Sequence, residues 1–421
     1  MRILFVAAEV APFAKVGGLA DVAGSLPKAL AKLGHDVKVV MPLYRHVNRE
    51  KWGLEKILEN WEIARPVPSL QPGFNVYRGY LPGSEVEVWF IDNGHYFHRP
   101  EIYMEGGRDY PDNPERYAFF SRAVMALVQG VNWQPDIMHC HDWQTALLPT
   151  YQKLFFMDDP FWKSVKTVFT IHNLAYQGIF DRGKLPILGL PDWTFTPQFM
   201  EFYGNLCLMK GGLICSDKLT TVSPRYSREI QSWECGCGLD GVLRERQYDL
   251  SGILNGVDYD QWNPQKDSEI AAHFSEKDWA GKQINKINLL KDHHLPVSDQ
   301  DIPVIGIISR LADQKGFDIL AEVAERLMTL DMQMVVLGTG EQRYHDLFKW
   351  LAGKYPEKVA VNLKFDGYLA KMIYAGSDLF LMSSKYEPCG LGQLIAMAYG
   401  TVPIVRSTGG LADTVRDFNP V

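Results

Sequence analysis

A pair of glycines between an apolar run and an amphipathic segment limits most strongly what this chain can fold into. MRILFVAAE is short and apolar enough for a buried strand, and apolar residues then recur near helical spacing from Leu19 to Leu33. A glycine ends that predicted helix, and DVKVVMP follows as a second buried strand. Gly17 and Gly18 therefore lie where a strand turns into a helix, with Lys15 beside them. Their amides at a positive helix end suit a phosphate or diphosphate, although a simple tight turn is an equally good interpretation because this turn does not read G-x-G-x-x-G.

Strands and helices alternate along most of the chain, and the alternation occurs in two series. The first series contains EVEVWFID, DIMHCHDW, KTVFTIHN and KLTTVSP, and the second contains IPVIGIIS, MQMVVLG, KVAVNLKF, SDLFLMS and VPIVR. This order is typical of α/β domains with parallel sheets, and a chain of 421 residues is too long for one core. We predict two Rossmann-like domains, residues 1–250 and 251–421, facing each other across a deep cleft. Polar residues follow several of these strands, at the carboxyl ends where open parallel sheets bind ligands.

Composition excludes several classes of function. The net charge of −7 does not indicate a nucleic-acid partner. No run of about 18 apolar residues predicts a membrane span, and the chain begins on a strand without a charged leader, so we expect no signal peptide. Six cysteines in so long a chain do not form a disulfide scaffold, which favours the reducing cytoplasm. Eleven tryptophans among 12% aromatic residues suit sugar faces, although most such rings fill cores.

The opening turn has an echo near the other end of the chain. Residues 409–415 read GGLADTV and residues 17–22 read GGLADV, and each follows an apolar strand and begins a helix. Two matched turns, one in each domain, could grip one diphosphate. A coincidental repeat of common residues is the alternative, because short motifs are weakly specific.

Charged residues follow two strands of the second series. Arg310 and Lys315 lie in SRLADQKG. The arginine guanidinium offers a fork of N–H donors and the lysine ammonium a point charge, and this combination suits a diphosphate. Two solvated surface cations are the alternative. Glu387 in EPCGLGQ could accept hydrogen bonds from a sugar, or simply complement the dipole of the following helix.

The histidines and cysteines do not have the spacing of a metal site. His139 and His141 flank Cys140, and Cys235 and Cys237 lie in ECGCG, but neither group has the ligand pattern of structural zinc. His141 at a strand end is a candidate sugar contact, and a satisfied core histidine is nearly as good an interpretation. Neither a G-x-S-x-G elbow nor a Walker P-loop occurs, which weakens hydrolase and phosphotransferase interpretations.

These motifs, taken in order, resemble a known family. KVGGLADV, HCHDW, TIHNLAYQG, SPRYS with CGCGLDGVL, ILNGVDYDQWNP, SRLADQKG, LGTGE, EPCGLGQ and STGGLADTV are similar to bacterial glycogen synthases and plant starch synthases. The resemblance implies a GT-B glycosyltransferase that transfers glucose from ADP-glucose to the 4-hydroxyl at the non-reducing end of an α-1,4-glucan such as glycogen or starch. It also implies retention of the anomeric configuration and no requirement for a metal or other cofactor.

By position in these motifs, the resemblance implies catalytic roles for His141, Arg310, Lys315, Glu387, Asp112 and Asn255. It implies substrate-binding roles for Lys15, Gly17, Gly18, Asp21, Asn173, Tyr176, Gln177, Gly338, Thr339, Phe365, Cys389, Gly390, Leu391, Thr408, Gly409 and Gly410. Among all of these residues, Arg310 and Lys315 resemble the pair that binds the diphosphate in the family. Phe365 resembles an aromatic ring that stacks on adenine, and Tyr176 and Gln177 lie where the acceptor glucan would approach.

The chain also departs from the family pattern. Related transferases often have a second glutamate where Ile395 stands. Family members usually continue beyond the equivalent of Val421, so we expect the second domain to be truncated and an extended form to be more stable and more active. A sucrose or sucrose-phosphate synthase with a UDP-sugar donor, and a glucan-binding protein without catalysis, are the competing hypotheses. No pair of carboxylates suited to double displacement is evident, so a front-face substitution is our hypothesis for the retaining step.

Overall fold

The first strand–loop–helix–strand unit forms as its apolar pattern predicts. The computed structural model, which describes residues 1–65 and 67–419, has β1 (Arg2–Val6), α1 (Gly18–Lys32) and β2 (Asp36–Pro42). The side chains from Ile3 to Val6 are buried, and Gly34 follows the helix with a φ of 87°, where glycine is unstrained. β1 and β2 pair in parallel.

The described residues divide into two compact units, the first formed by Met1–Val222 with Ser227–Ile253, and the second by Ser223–Tyr226 with the chain from Leu254 onward. The strands of the first unit continue as β3 (Glu55–Glu62), β4 (Gly73–Tyr80), β5 (Glu87–Asp92), β6 (Met104–Glu105), β7 (Arg108–Asp109), β8 (Ile137–His141), β9 (Lys166–Ile171), β10 (Ile179–Phe180), β11 (Glu201–Phe202), β12 (Asn205–Cys207), β13 (Lys218–Thr221) and β14 (Leu250–Gly252). The helices from this part of the chain are α2 (Gly94–Phe97), α3 (Asn113–Gly130), α4 (Leu147–Phe155), α5 (Leu185–Leu188), α6 (Leu208–Cys215), α7 (Pro224–Glu229) and α8 (Asp240–Glu245).

The main sheet of the first unit has nine strands in the order β14-β13-β9-β8-β1-β2-β5-β4-β3. Its strands from β14 to β5 pair in parallel, as predicted, but β4 and β3 form an antiparallel edge that the sequence analysis did not anticipate. β3 reads EKILENWE and is mostly exposed, so it lacks the apolar run that identifies the buried strands. A separate small sheet has the order β10-β12-β11.

The second unit is a five-stranded parallel sheet in the order β17-β16-β15-β18-β19 with helices between its strands. In chain order its elements are α9 (Ala280–Asp292), β15 (Val304–Ile308), α10 (Phe317–Leu327), β16 (Gln333–Leu337), α11 (Gln342–Lys354), β17 (Val359–Asn362), α12 (Gly367–Gly376), β18 (Leu379–Met382), α13 (Gly392–Ala398), β19 (Val402–Val405) and α14 (Gly409–Thr414).

Alternate residues of β16 pack into two different cores of this unit. Met334 and Val336 join the cluster that contains Phe348, whereas Val335 and Leu337 join the one that contains Leu289. Since successive side chains of a strand point to opposite faces, the sheet is covered on both faces, as a doubly wound α/β domain requires. None of the helices in the described ranges is long and apolar enough to span a bilayer.

Candidate active site

The residues predicted for the site in the second unit follow the carboxyl ends of its strands. Arg310 follows β15, Gly338 follows β16, Phe365 follows β17, Glu387 follows β18 and Thr408 follows β19. Because all five strands are parallel, these positions share one edge of the sheet. Phe365 is 84% exposed there, so its ring is open to a planar partner.

Lys315 and Glu387, which are 72 positions apart, form an ion pair at this edge. Lys315 Nζ lies 2.6 Å from Glu387 Oε2, and both side chains are largely buried. The Ser384 hydroxyl donates to the same carboxylate oxygen at 2.9 Å. The neighbouring positions of β15 and β18 in the sheet bring the two loops together. A cation and a carboxylate are therefore held side by side on the edge where a ligand is expected.

A glycine in the left-handed region locks these two loops against each other. Gly316 has a φ of 71°, and a Cβ there would lie 2.1 Å from the carbonyl oxygen of Ser383. The Ser383 hydroxyl donates to the carbonyl of Lys315 at 2.9 Å, and the Lys385 amide donates to the carbonyl of Gln314 at 2.8 Å. The close approach that only glycine permits thus sets the position of the Lys315 backbone.

The LGTGE turn packs equally closely on the loop after β15. A Cβ at Gly338 would lie 2.0 Å from the carbonyl oxygen of Ser309, and the Leu311 amide donates to the carbonyl of Thr339 at 2.9 Å. These contacts place Gly338 and Thr339 beside the loop that carries Arg310, which is itself exposed.

The second GGLAD turn packs on the loop that carries Glu387. The Gly410 amide donates to the carbonyl of Glu387 at 3.0 Å, and a Cβ at Gly410 would lie 2.3 Å from the carbonyl oxygen of Cys389. Burial raises the pKa of the Cys389 thiol to about 11, and the backbone amide of Asn255 hydrogen-bonds to it. Thr408 is buried before Gly409, which has a φ of 46°. The structure therefore brings Asn255, Glu387, Cys389 and the glycine turn together.

The rest of the EPCGLGQ loop is held by Gln393. Its Nε2 donates to the carbonyls of Cys389 at 3.0 Å and Gly390 at 3.1 Å, just before α13, whose N-cap is Leu391. Ile395 is 7% exposed and packs in an apolar cluster with Phe380 and Tyr399, among other residues. A carboxylate in place of Ile395 would be buried among apolar side chains at a cost, so an isoleucine suits this position.

In the first unit, a buried carboxylate organises the opening turn. Glu9 accepts the amides of Val16 at 2.6 Å and Gly17 at 2.9 Å, and the Tyr103 hydroxyl at 2.7 Å. The Gly17 amide, predicted to serve an anionic ligand with that of Gly18, is thus bonded within the protein. A Cβ at Gly17 would meet nothing within 4 Å, so the fold itself does not exclude a side chain there. Close approach of a ligand to Gly17 stays a prediction.

Lys15 is also paired within the protein. Its Nζ lies 2.6 Å from Asp21 Oδ1, and both side chains are partly exposed. Asp21 was predicted to bind substrate, and here it positions the cation of the turn. A contact of Lys15 or Asp21 with the substrate stays a prediction.

Three histidines lie together at the ends of β8 and β9. His141 is buried and stacks on Phe5 with ring centroids 4.1 Å apart, and its Nδ1 lies 2.9 Å from His172 Nε2. His139 Nε2 lies 2.7 Å from Thr170 Oγ1. Burial lowers the pKa of all three rings, of His139 to about 4 and of His172 to about 3, so they are neutral at pH 7.

His141 differs from an ordinary core histidine in one respect. Its Nε2 is buried and has no hydrogen-bond partner among the described residues. Buried polar atoms are nearly always paired with protein groups, water or a ligand, so this ring nitrogen is available to a water molecule or a ligand hydroxyl. This observation favours the sugar-contact interpretation of His141 over that of a satisfied core residue.

Asp142, which directly follows the candidate sugar contact His141, ties the loop after β9 to the end of β8. Its carboxylate accepts the amide of His172 at 2.7 Å and also that of Asn173. Burial raises its pKa to about 7. Its backbone has φ 56° and ψ −177°, a region that residues other than glycine rarely occupy and that is enriched at functional sites. The sequence placed Asp142 at a strand end beside His141, but its bond to the loop after β9 depends on the folded structure.

Asp112 lies at the N-cap of α3, next to a cation that sequence reasoning missed. Arg99 contacts both of its carboxylate oxygens, with Nη1 2.7 Å from Oδ1, and stacks over the ring of Tyr110. The long loop between β5 and α3 thus carries an aspartate whose charge is already balanced.

The substrate-binding residues predicted after β9 differ in accessibility. Asn173 Oδ1 accepts the Ala175 amide at 3.1 Å and shapes a turn. Tyr176 is 49% exposed, whereas Gln177 is 5% exposed and its Nε2 donates to the carbonyl of Cys237 at 2.9 Å. Gln177 therefore positions the 235–238 loop, whereas Tyr176 is half-exposed. Within the described ranges no group of three or more histidine, cysteine or carboxylate side chains is arranged for a metal ion.

Both parts of the chain match families of known proteins. Residues 2–245 match the family model of the starch synthase catalytic domain, and residues 291–420 match that of glycosyl transferases group 1. Sucrose-phosphate synthase from Thermosynechococcus elongatus shares the fold, with a TM-score of 0.56 at 16% identity over 99% of this chain and 83% of that one. Each unit is an α/β unit with a mainly parallel sheet, and together with these matches this defines a glycosyltransferase of the GT-B fold.

Two closer similarities specify the family. The chain is 48% identical to the glycogen synthase of Thermotoga maritima over 100% of this chain and 86% of that protein. The solved catalytic domain of starch synthase IV from Arabidopsis thaliana, bound to ADP and acarbose, has a TM-score of 0.91 and 35% identity over 99% of this chain and 85% of that one. The chain belongs to the family of glycogen synthases and starch synthases.

Proposed function

We propose that this protein elongates glycogen or starch by transferring glucose from ADP-glucose to the non-reducing 4-hydroxyl of an α-1,4-glucan, with retention of configuration. The observation that carries the proposal is the Lys315–Glu387 pair, 2.6 Å apart and beside the second GGLAD turn. The match to glycosyltransferase families supports sugar transfer as the reaction, and relatives named for glycogen and starch synthesis support the choice of glucan. A relative bound to ADP supports an adenine nucleotide as the donor's leaving group.

The residues of the second unit suit the leaving diphosphate. As the bond from glucose to the diphosphate breaks, negative charge grows on the phosphate oxygens, and fixed cations there lower the barrier. Lys315 is oriented by Glu387 and held by the Gly316 contact, so little reorganisation is needed when charge develops. We assign Arg310, after the same strand, to the second phosphate. These cations supply charge stabilisation without a metal or other cofactor.

The residues of the first unit suit the sugar. His141 Nε2 is the unpaired group that we assign to a glucose hydroxyl, since a neutral ring nitrogen can donate or accept. In the retaining step that we propose, the acceptor 4-hydroxyl attacks the anomeric carbon from the face that the diphosphate leaves. The departing phosphate oxygen takes the hydroxyl proton, so no protein nucleophile is needed.

The free thiols of the six cysteines fit a reducing cytoplasm.

Single-turnover transfer of labelled glucose from ADP-glucose to glycogen tests this proposal. Lys315→Ala should reduce the rate about 10²–10³-fold, the loss typical of one preorganised charge-stabilising group. The matched control is Lys385→Ala, because Lys385 lies in the adjoining loop but pairs with Asp318 at 2.8 Å and is partly exposed. Its rate should stay within about twofold of wild type, as expected for a surface pair.

Other outcomes would redirect the proposal. Faster transfer from UDP-glucose than from ADP-glucose would favour a sucrose-type donor preference. Glycogen binding without any release of ADP would indicate a glucan-binding protein. Trapping a covalent glucosyl adduct on a carboxylate of the wild-type enzyme would exclude front-face substitution.

A further inference from the structure

A tyrosine occupies a strained position at the tip of the hairpin between β11 and β12. Tyr203 and Gly204 form the two-residue connection, with φ values of 48° and 82°. Turns with positive φ at both central positions favour asparagine, aspartate and glycine, and a bulky residue there is uncommon. Tyr203 is also 81% exposed, so burial of its ring does not offset the strain. A tyrosine at this tip is therefore unusual in both conformation and exposure.

The ring of Tyr203 is nevertheless held on one side. It meets Phe202 edge to face with centroids 4.7 Å apart. Gly238 has a φ of 81°, and a Cβ there would lie 2.8 Å from Phe202 Cζ and 3.2 Å from Tyr203 Cε2. Any larger residue at position 238 would displace both rings. Tyr203 is therefore buttressed from behind and open in front, as a stacking surface must be.

The same assembly reaches the predicted acceptor residues. Gly238 follows Cys237, whose carbonyl accepts Gln177 Nε2 at 2.9 Å. The Gln177 carbonyl in turn accepts the Met209 amide at 3.0 Å, just after β12. Tyr176, the half-exposed acceptor candidate, directly precedes Gln177. One continuous set of contacts within the first unit thus connects Tyr203 to Tyr176.

We propose that Tyr203 and Tyr176 are stacking positions for an α-1,4-glucan chain, with Tyr203 binding glucose units more distant from the reacting end. This inference rests on the proposed function, which supplies a polymeric acceptor. The flat, amphipathic ring of tyrosine suits the C–H faces of pyranose rings while its hydroxyl stays in water. A polymer that contacts the protein at two separated rings gains affinity over one that contacts only the reaction site.

Tyr203→Asn removes the ring but suits the backbone, because asparagine tolerates a left-handed conformation. Tyr248→Asn is the control, since Tyr248 is 92% exposed in the same unit and lies after α8. With wild type and both variants, KM would be measured for glycogen, maltose and ADP-glucose, and glycogen binding by affinity electrophoresis. For Tyr203→Asn we expect the glycogen KM to rise about three- to tenfold, with weaker retardation in glycogen gels and little change for maltose or ADP-glucose. Tyr203→Trp should restore glycogen affinity.

Unchanged glycogen KM and gel retardation in Tyr203→Asn would overturn the inference, and so would an equal effect of Tyr248→Asn. A change in self-association by sedimentation without a change in glycogen affinity would mean that a second copy of the chain covers the ring, which also overturns it. If wild type transfers no glucose, the proposed function fails. Gel retardation still tests Tyr203 in that case, so the two failures are distinguishable.

Discussion

At the scale of single residues, the site depends on groups whose ordinary preferences are not met. Asp142 combines a backbone region that glycine prefers with a buried carboxylate whose pKa is raised to about 7. His141 Nε2 is buried and has no hydrogen-bond partner within residues 1–65 and 67–419. Strain and unsatisfied polarity of this kind cost stability, and they persist where surrounding contacts impose them. Asp142 is therefore the best place to separate stability from activity.

We predict that Asp142→Gly is about as stable as wild type but much less active. Glycine relieves backbone strain of about 1–3 kcal/mol, while the lost hydrogen bonds to the amides of His172 and Asn173 cost about 1 kcal/mol each. Without that anchor, His172 no longer fixes the ring of His141, and we expect kcat to fall about tenfold or more. Thermal unfolding and steady-state kinetics check the two halves of the prediction.

The control for this prediction is Asp142→Ala, which keeps the strain and loses the same bonds. It should be less stable than Asp142→Gly by about 1–3 kcal/mol, with a similar loss of kcat. Equal stability of the two variants would contradict the assigned strain, and full activity of Asp142→Gly would contradict the anchoring role.

At the scale of elements, glycine-dependent contacts between neighbouring loops position the charged pair. We predict that Gly316→Ala destabilises the protein by about 2 kcal/mol or more, because a positive φ alone costs about 1–2 kcal/mol and the added Cβ meets the Ser383 carbonyl. Activity should fall with it, since the loop carries Lys315. Urea unfolding followed by transfer assays at a temperature where the variant is folded measures both effects.

Gly353→Ala is the matched control for that substitution. Gly353 lies in α11, is exposed, and a Cβ there would meet nothing within 4 Å. Alanine should stabilise the helix by about 0.5–1 kcal/mol and leave the transfer rate unchanged. A loss of stability from both glycine substitutions would argue against the specific role of the Gly316 contact.

The sequence predicts the strands that are continuous apolar runs, but not the strands that are exposed or very short. The parallel strands are short apolar runs followed by polar residues, so β15 and β18 could be identified and their loops expected at one edge. β3 is mostly exposed, and the hairpin of β11 and β12 is too short for a periodic pattern. Glu9 and Arg99 were missed because their partners are not adjacent in the sequence. Glu9 accepts from Tyr103, 94 positions away, and Arg99 donates to Asp112, 13 positions away. Such pairings depend on loop paths that local propensity does not encode.

At the scale of the whole molecule, each unit has its own sheet, and the second unit has cores on both faces of its sheet. The groups assigned to the leaving diphosphate, Arg310 and Lys315, both belong to that second unit. A ligand that binds only the folded state stabilises it by mass action, by about 2.7 kcal/mol at a concentration one hundred times Kd. Ligand-induced stabilisation can therefore report donor binding independently of catalysis.

We predict that ADP at one hundred times its Kd raises the Tm of the wild-type protein by about 3 °C, and that amide exchange slows chiefly in the loops after β15 and β18. UDP at the same concentration should have a smaller effect if adenine stacks on Phe365. Lys315→Ala should lose most of the ADP shift, whereas Lys385→Ala should keep it, because Lys385 is engaged with Asp318 at 2.8 Å. Protection confined to the first unit, or an equal shift with both lysine variants, would place the diphosphate elsewhere and remove the role assigned to the Lys315–Glu387 pair.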